Sequence, residues 1–274
     1  MTADDQSSTG RTDSPLLTRR TFVAGAGGTL LGAGVLGSAA AQMDDGPTMR
    51  SFTVTIENVS TPETLETTAD GDAATQPVPL APGAYAVHTS DEPMFSMGES
   101  PRHNGLQALA EDGKPGTLAE HLSMRETVSD SGTVTTPVGA DGPGPLTPGN
   151  RYEFTVHAES GQPATYLSLA TMFVPSNDLF YALGGPDGAM LFDDGQPLSG
   201  DVTDMVTLYD AGTEINEEPG VGENQPQRQR GAGAGLVERG TVAPVDEIAG
   251  HEYPAVSDVL SVSVTPADTT DDDM

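Results

Sequence analysis

The stretch LYDAGTEINEEPG, residues 208–220, carries Asp210, Glu214, Glu217 and Glu218 directly after an alternating, strand-like run. Another carboxylate, Asp178, follows a nearly continuous apolar run in FVPSNDLFYALGG. Carboxylates gathered at strand ends can hold a hard cation, and calcium takes about six to eight oxygens in flexible geometry. If Ala189–Phe192 returns antiparallel between the two runs, the runs point the same way and their ends meet on one rim. Asp178, Asp210 and Glu214 are then the candidate metal ligands. A solvated acidic rim is the competing reading, and spacing alone leaves both open. An EF-hand is excluded, because the sixth position counted from Asp210 is Ile215, where that loop requires glycine.

Other chemistries find less support. His88, His103, His121, His157 and His251 are scattered with no two at ligand spacing, and there is no cysteine, which argues against zinc. His157 falls on the outward face of its run. No G-x-S-x-G is present; MGESPR lacks the second glycine. A phosphate-binding loop is absent as well. A glycosidase needs two placed carboxylates, but in so acidic a chain any pairing by sequence is arbitrary. Asn58-Val59-Ser60 is an N-glycosylation sequon at the end of a strand-like segment.

The chain has 274 residues with 41 acidic and 11 basic side chains, a formal net charge of -30, and Lys114 as its single lysine. Such self-repulsion destabilises a compact state in dilute buffer. At molar salt the Debye length falls to about 3 Å and screens most of it. The composition therefore reads as that of an extreme halophile. It also argues against nucleic-acid binding, which needs basic side chains to displace counterions from phosphates.

The N-terminus reads as an export signal. Arg19 and Arg20 precede Phe22 and a mildly apolar run, residues 23–41, that contains six glycines and ends in Ala39-Ala40-Ala41. Paired arginines before such a run mark a twin-arginine (Tat) signal with cleavage before Gln42. An uncleaved anchor is the runner-up, since 19 residues at about 1.5 Å each nearly span a bilayer. After cleavage no membrane span is expected. Without cysteine, no disulfide can staple the exported protein.

Residues 42–50 read as a linker. SFTVTIENVS alternates with Phe52, Val54 and Ile56 on one face, as a half-buried strand does. AYAVHT is a strand preceded by an Ala81-Pro82-Gly83 turn. Leu106, Leu109 and Ala110 recur at helical spacing before Gly113, and a second short helical turn covers residues 117–122. RYEFTVHAE alternates, TYLSLATMFVPSND reads as the sheet centre, TDMVTLYD alternates, and VLSVSVTP closes the fold. Residues 216–250 read as a long excursion, and residues 267–274 as a disordered acidic tail. Short strands between Gly/Pro/Asp turns, with little helix, imply one all-β domain over residues 51–266, an antiparallel β-sandwich with a short helical insertion.

The motifs LAEDG, MFVPSNDLFYAL, GDVTDMVTLYDAGTEINEEPG and GENQPQRQ, in this order and spacing, resemble the spondin domain, the N-terminal domain of F-spondin and mindin. The resemblance runs from about Ser51 to Pro266. It implies a C2-like sandwich with a calcium ion at one edge. The family's metal-binding aspartates match Asp178, Asp210 and, with glutamate in place of aspartate, Glu214. Glu217 and Glu218 are then expected to face solvent. The animal members' cysteines and thrombospondin repeats are lacking, so their integrin and matrix partners are not carried over.

The reading is thus an exported, non-enzymatic calcium-binding module, secreted or at the cell surface. It would serve adhesion or ligand binding, with an extracellular protein or glycan as partner. A secreted hydrolase acting on polysaccharide or protein is one alternative, distinguished by a deep cleft with convergent polar groups. A structural component of the cell envelope is another.

Overall fold

The computed structural model describes residues 47–267, except residues 70, 90, 102 and 249. The expected signal peptide and most of the acidic tail lie outside the described residues. The described residues begin with β1 (Met49–Asn58), which takes in the last two residues of the expected linker, and a small hairpin, β2 (Leu65–Ala69) and β3 (Asp72–Gln76). Then come β4 (Leu80–His88), helices α1 (Leu106–Asp112) and α2 (Gly116–Ser123), β5 (Val128–Val134) and β6 (Arg151–Glu159). After β7 (Tyr166–Phe173) and β8 (Leu179–Leu183) come four two-residue strands: β9 (Ala189–Met190), β10 (Phe192–Asp193), β11 (Gln196–Pro197) and β12 (Gly200–Asp201). The remaining strands and α-helix are β13 (Val206–Asp210), β14 (Ala243–Pro244), the short α3 (Val256–Val259) and β15 (Leu260–Pro266).

Two antiparallel sheets face each other. The smaller has the order β12-β15-β1-β6; the larger runs β14-β13-β8-β7-β4-β5, with β9 beside the start of β7. Alternation builds the space between them. Phe52, Val54 and Ile56 of β1, Tyr152 and Val156 of β6, and Val262 and Val264 of β15 meet Val87, Leu169, Phe173, Tyr181 and Leu208 from the larger sheet. This is the all-β sandwich that the periodicity predicts.

The larger sheet is covered on its other face too. There Ala84, Ala86, Ala170 and Ala182 present only methyl groups, and Leu106, Leu109, Leu118 and Leu122 of the helices pack onto them. Burial on both faces explains why β7 and β8 read as nearly continuous apolar runs. Truncating one of these leucines to alanine costs about 2–5 kcal/mol.

Two local expectations are corrected, and the sequon is placed. The Ala81-Pro82-Gly83 segment lies inside β4, at a register irregularity between Leu80 and Gly83 that accommodates the proline. A Cβ on Gly83 would sit 2.7 Å from the Ala170 carbonyl oxygen, so the strands close there only around glycine. The strand returning between β7 and β13 is β8, whose five residues are all buried, and not Ala189–Phe192. The two runs nevertheless point the same way, as the rim argument requires. Finally, Asn58 is fully buried. Its Nδ2 donates to the Val78 and Leu146 carbonyls at 2.8 Å, and its Oδ1 accepts from Ser60 N at 3.0 Å and Ser60 Oγ at 2.7 Å. That amide ties three segments together and leaves no room for a glycan. Orphaning its buried partners would cost about 1–3 kcal/mol each.

Candidate metal centre

β7 ends at Phe173, and the chain turns through Pro175-Ser176-Asn177 into β8. Ser176 Oγ staples the turn, donating to the Phe173 carbonyl at 2.6 Å and accepting from Leu179 N at 3.0 Å. Asp178 is thereby held at the start of β8. Across the ladder, Asp210 pairs with Leu179, and Ala211 N donates to the Asp178 carbonyl at 3.2 Å. Two residues from distant parts of the sequence thus arrive at the same rim.

The loop after β13 wraps around these carboxylates. Asp178 Oδ2 accepts from Thr213 N at 2.6 Å, Thr213 Oγ1 at 3.0 Å and Glu214 N at 3.0 Å. Asp210 accepts from Gly212 N and from Asn216 Nδ2. Gly212 adopts φ +67°, and a Cβ there would meet the Thr241 and Gly240 backbone at 2.6–3.0 Å. The close approach allows a short ladder, with Gly240 N, Glu238 N and Ile215 N each donating at 2.8 Å to the Gly212, Thr213 and Leu236 carbonyls.

Asp178 and Asp210 form a buried, mutually repelling pair, 0% and 2% exposed. Burial raises the Asp178 carboxyl to about 7; the charge of Asp210 adds to the shift, and the hydrogen bonds from Glu214 and Thr213 oppose it. Asp210 is raised by burial against its own hydrogen bonds. Among the described residues no lysine or arginine pairs with either. Asp178 Oδ1 is buried without a hydrogen-bond partner. Tyr253 and Glu238 complete the surroundings, both raised first by burial and then by the charge of Asp210.

Glu214 is also buried, but among the described residues its carboxylate does not join the two aspartates around one point; Gly235 and the Asn177 side chain hydrogen-bond it. Oε1 accepts from Gly235 N at 2.8 Å, and a Cβ on Gly235 would lie 2.0 Å from Oε2, so the Gly235 backbone lies close against the carboxylate. Burial raises its carboxyl to about 7, with Glu111 and Asp112 at the end of α1 adding repulsion. What Glu214 brings to Asp178 is its backbone amide.

Glu217 and Glu218 do not simply face solvent. Glu217 accepts from Asn177 Nδ2 at 3.1 Å and from Asn224 N and Nδ2 at 2.9 and 3.1 Å. Glu218 accepts from Thr67 and Thr68 hydroxyls at 3.1 Å. Both are half-buried loop ties. Thr213, Asn216 and Asn177 also belong to the site, though they are not carboxylates. The hydroxyl or amide groups adjoining Asp178 and Asp210 in the same motifs were the available signal.

The donor set is all oxygen and lacks a neutralising cation, which fits a hard ion. The orphaned Asp178 Oδ1 provides a specific observation in favour of that fit. Among the described residues no three His, Asp or Glu side chains gather around one point. Two carboxylates would therefore be supplemented by carbonyl, amide or hydroxyl oxygens and water.

Two other features bear on chemistry. His88 Nε2 lies 2.9 Å from Ser168 Oγ, but both are buried. A Cβ on Gly188 would stand 2.8 Å from Ser168 Oγ and 3.0 Å from His88 Nε2, so the main chain closes over the pair. A surface depression of about 700 Å³ is lined by Glu223, Asn224, Arg228, Arg230 and Ala234. Among the described residues no helix is long and apolar enough to cross a membrane.

No family model matches the chain, and no curated protein matches it.

Proposed function

We propose that this chain is an exported, spondin-like sandwich module of a halophile. It binds calcium through Asp178 and Asp210 and serves adhesion or ligand binding outside the cell. The single observation carrying the cation is the orphaned Asp178 Oδ1 within a buried carboxylate pair that, among the described residues, has no basic partner. Calcium would neutralise the pair and fasten the 211–216 loop to the start of β8. With no disulfide available, binding would stabilise the fold by mass action. Glu214 contributes as a neighbour that positions the loop, through its amide on Asp178 and its carboxylate on Gly235.

The test is calcium titration by calorimetry at constant molar salt, on wild type, Asp210→Asn and the exposed control Asp193→Asn. Saturable uptake with a dissociation constant of about 10⁻⁴ to 10⁻³ M is expected. It should be lost in Asp210→Asn and kept in Asp193→Asn. Wild-type protein that takes up no calcium ends the proposal.

A further inference from the structure

In a chain with 41 acidic and 11 basic residues, two of the basic ones share a single depression. Arg228 and Arg230 line it, about 700 Å³ in volume, with Glu223, Asn224 and Ala234. Both arginines are exposed. Among the described residues neither guanidinium is engaged in an ion pair or a side-chain hydrogen bond. The same loop carries Glu223, so its backbone must fix where the two arginines stand.

The loop is built to do so. Gln225 is 1% exposed; its Oε1 accepts from Gly220 N at 2.8 Å, and its Nε2 donates to the Glu218 carbonyl at 2.9 Å. The Gln225 carbonyl accepts the amides of Arg228 and Gln229, both at 2.8 Å. Gln229 Nε2 then donates to Asp112 Oδ1 at 3.0 Å, which anchors the loop to α1. With Gln229 fixed inward, its two arginine neighbours are left facing out. Asn224 commits its backbone and side-chain N–H groups to Glu217, which leaves its side-chain oxygen as an acceptor.

This is a preorganised mixture of donors and acceptors. Guanidinium groups match carboxylates in a two-pronged geometry. The Asn224 oxygen and the Glu223 carboxylate accept from hydroxyls. Among the described residues no aromatic or large aliphatic side chain lines the depression to receive an apolar peptide side chain, and its volume is in the range of about 300–1,000 Å³ typical of small-molecule sites. We propose that the depression binds a uronate unit of an acidic saccharide, with its carboxylate on Arg228 and Arg230 and its hydroxyls on Asn224 and Glu223. The overall charge of -30 repels such a ligand in dilute buffer. At molar salt the Debye length is about 3 Å, so the repulsion is screened while direct contacts persist. This assignment deepens the reading of the chain as an extracellular ligand-binding module and does not depend on the cation at the Asp178–Asp210 rim.

The experiment is calorimetry in molar sodium chloride with calcium chelated, using trigalacturonate, a neutral galactose trisaccharide and a glutamate tripeptide as probes. Trigalacturonate should bind saturably and weaken about tenfold or more in Arg228→Gln with Arg230→Gln. It should be unaffected by Arg151→Gln, which alters an exposed arginine on β6. Equal binding of the neutral sugar, equal loss in the Arg151 variant, or tighter binding of the peptide would overturn the assignment. No uptake of trigalacturonate would overturn it too, leaving the calcium proposal to its own titration.

Discussion

Asp210 pairs in register with Leu179, the residue after Asp178, and this pairing brings two carboxylates from distant parts of the sequence to one buried rim. Each is satisfied on one side by the 211–216 loop, yet each is disfavoured as an anion by burial. A pair arranged in this way prefers either a proton or a cation.

The first prediction concerns pH in calcium-free buffer at constant high salt. Asp178 and Glu214 are raised to about 7 in the folded protein, above the ordinary carboxylate range, so the folded state holds more protons than the unfolded one. Stability should therefore fall as pH rises from about 4 through about 7, with the protonated form favoured at the acid end. Thermal melts across this range check the slope. Asp210→Asn, which removes the charge acting on Asp178, should flatten it; an unchanged slope would contradict the pairing.

The second prediction concerns the loop glycine. Gly212→Ala places a Cβ at φ +67° against the Gly240 and Thr241 backbone. Strain of about 1–3 kcal/mol is expected before any clash is counted, which corresponds to a Tm lower by about 3–10 °C. Gly231→Ala, where a Cβ would meet nothing within 4 Å, should leave Tm nearly unchanged. Equal effects at the two positions would refute the close-approach argument.

Salt dependence is the third. With a net charge of -30 and a single lysine, stability should drop steeply between molar and millimolar NaCl as screening is lost. A Tm that stays constant across that range would reject the halophilic reading.

The fourth prediction is on export. Arg19→Lys with Arg20→Lys should keep the precursor in the cytoplasm, because the paired arginines are what the export receptor reads. Cell fractionation decides it, and normal secretion of the double variant would falsify the signal assignment.

The sequence alone determined the local order. The period-two pattern of Phe52, Val54 and Ile56 already placed β1 half in a core, and the nearly continuous apolar run of β7 already placed that strand at the centre of a sheet. It also named Asp178, Asp210 and Glu214, because carboxylates following strands collect at rims. Tertiary structure decided which of these meet. Periodicity fixes the face a residue occupies, but strand partners are chosen by long-range register, and the return through β8 rather than Ala189–Phe192 could not be read from alternation. Long-range contacts likewise turned Asn58 from a sequon into a buried tie. The same contacts set Glu214 against Gly235 and bonded Glu217 to Asn177, since a side chain's partners depend on which distant segment packs beside it.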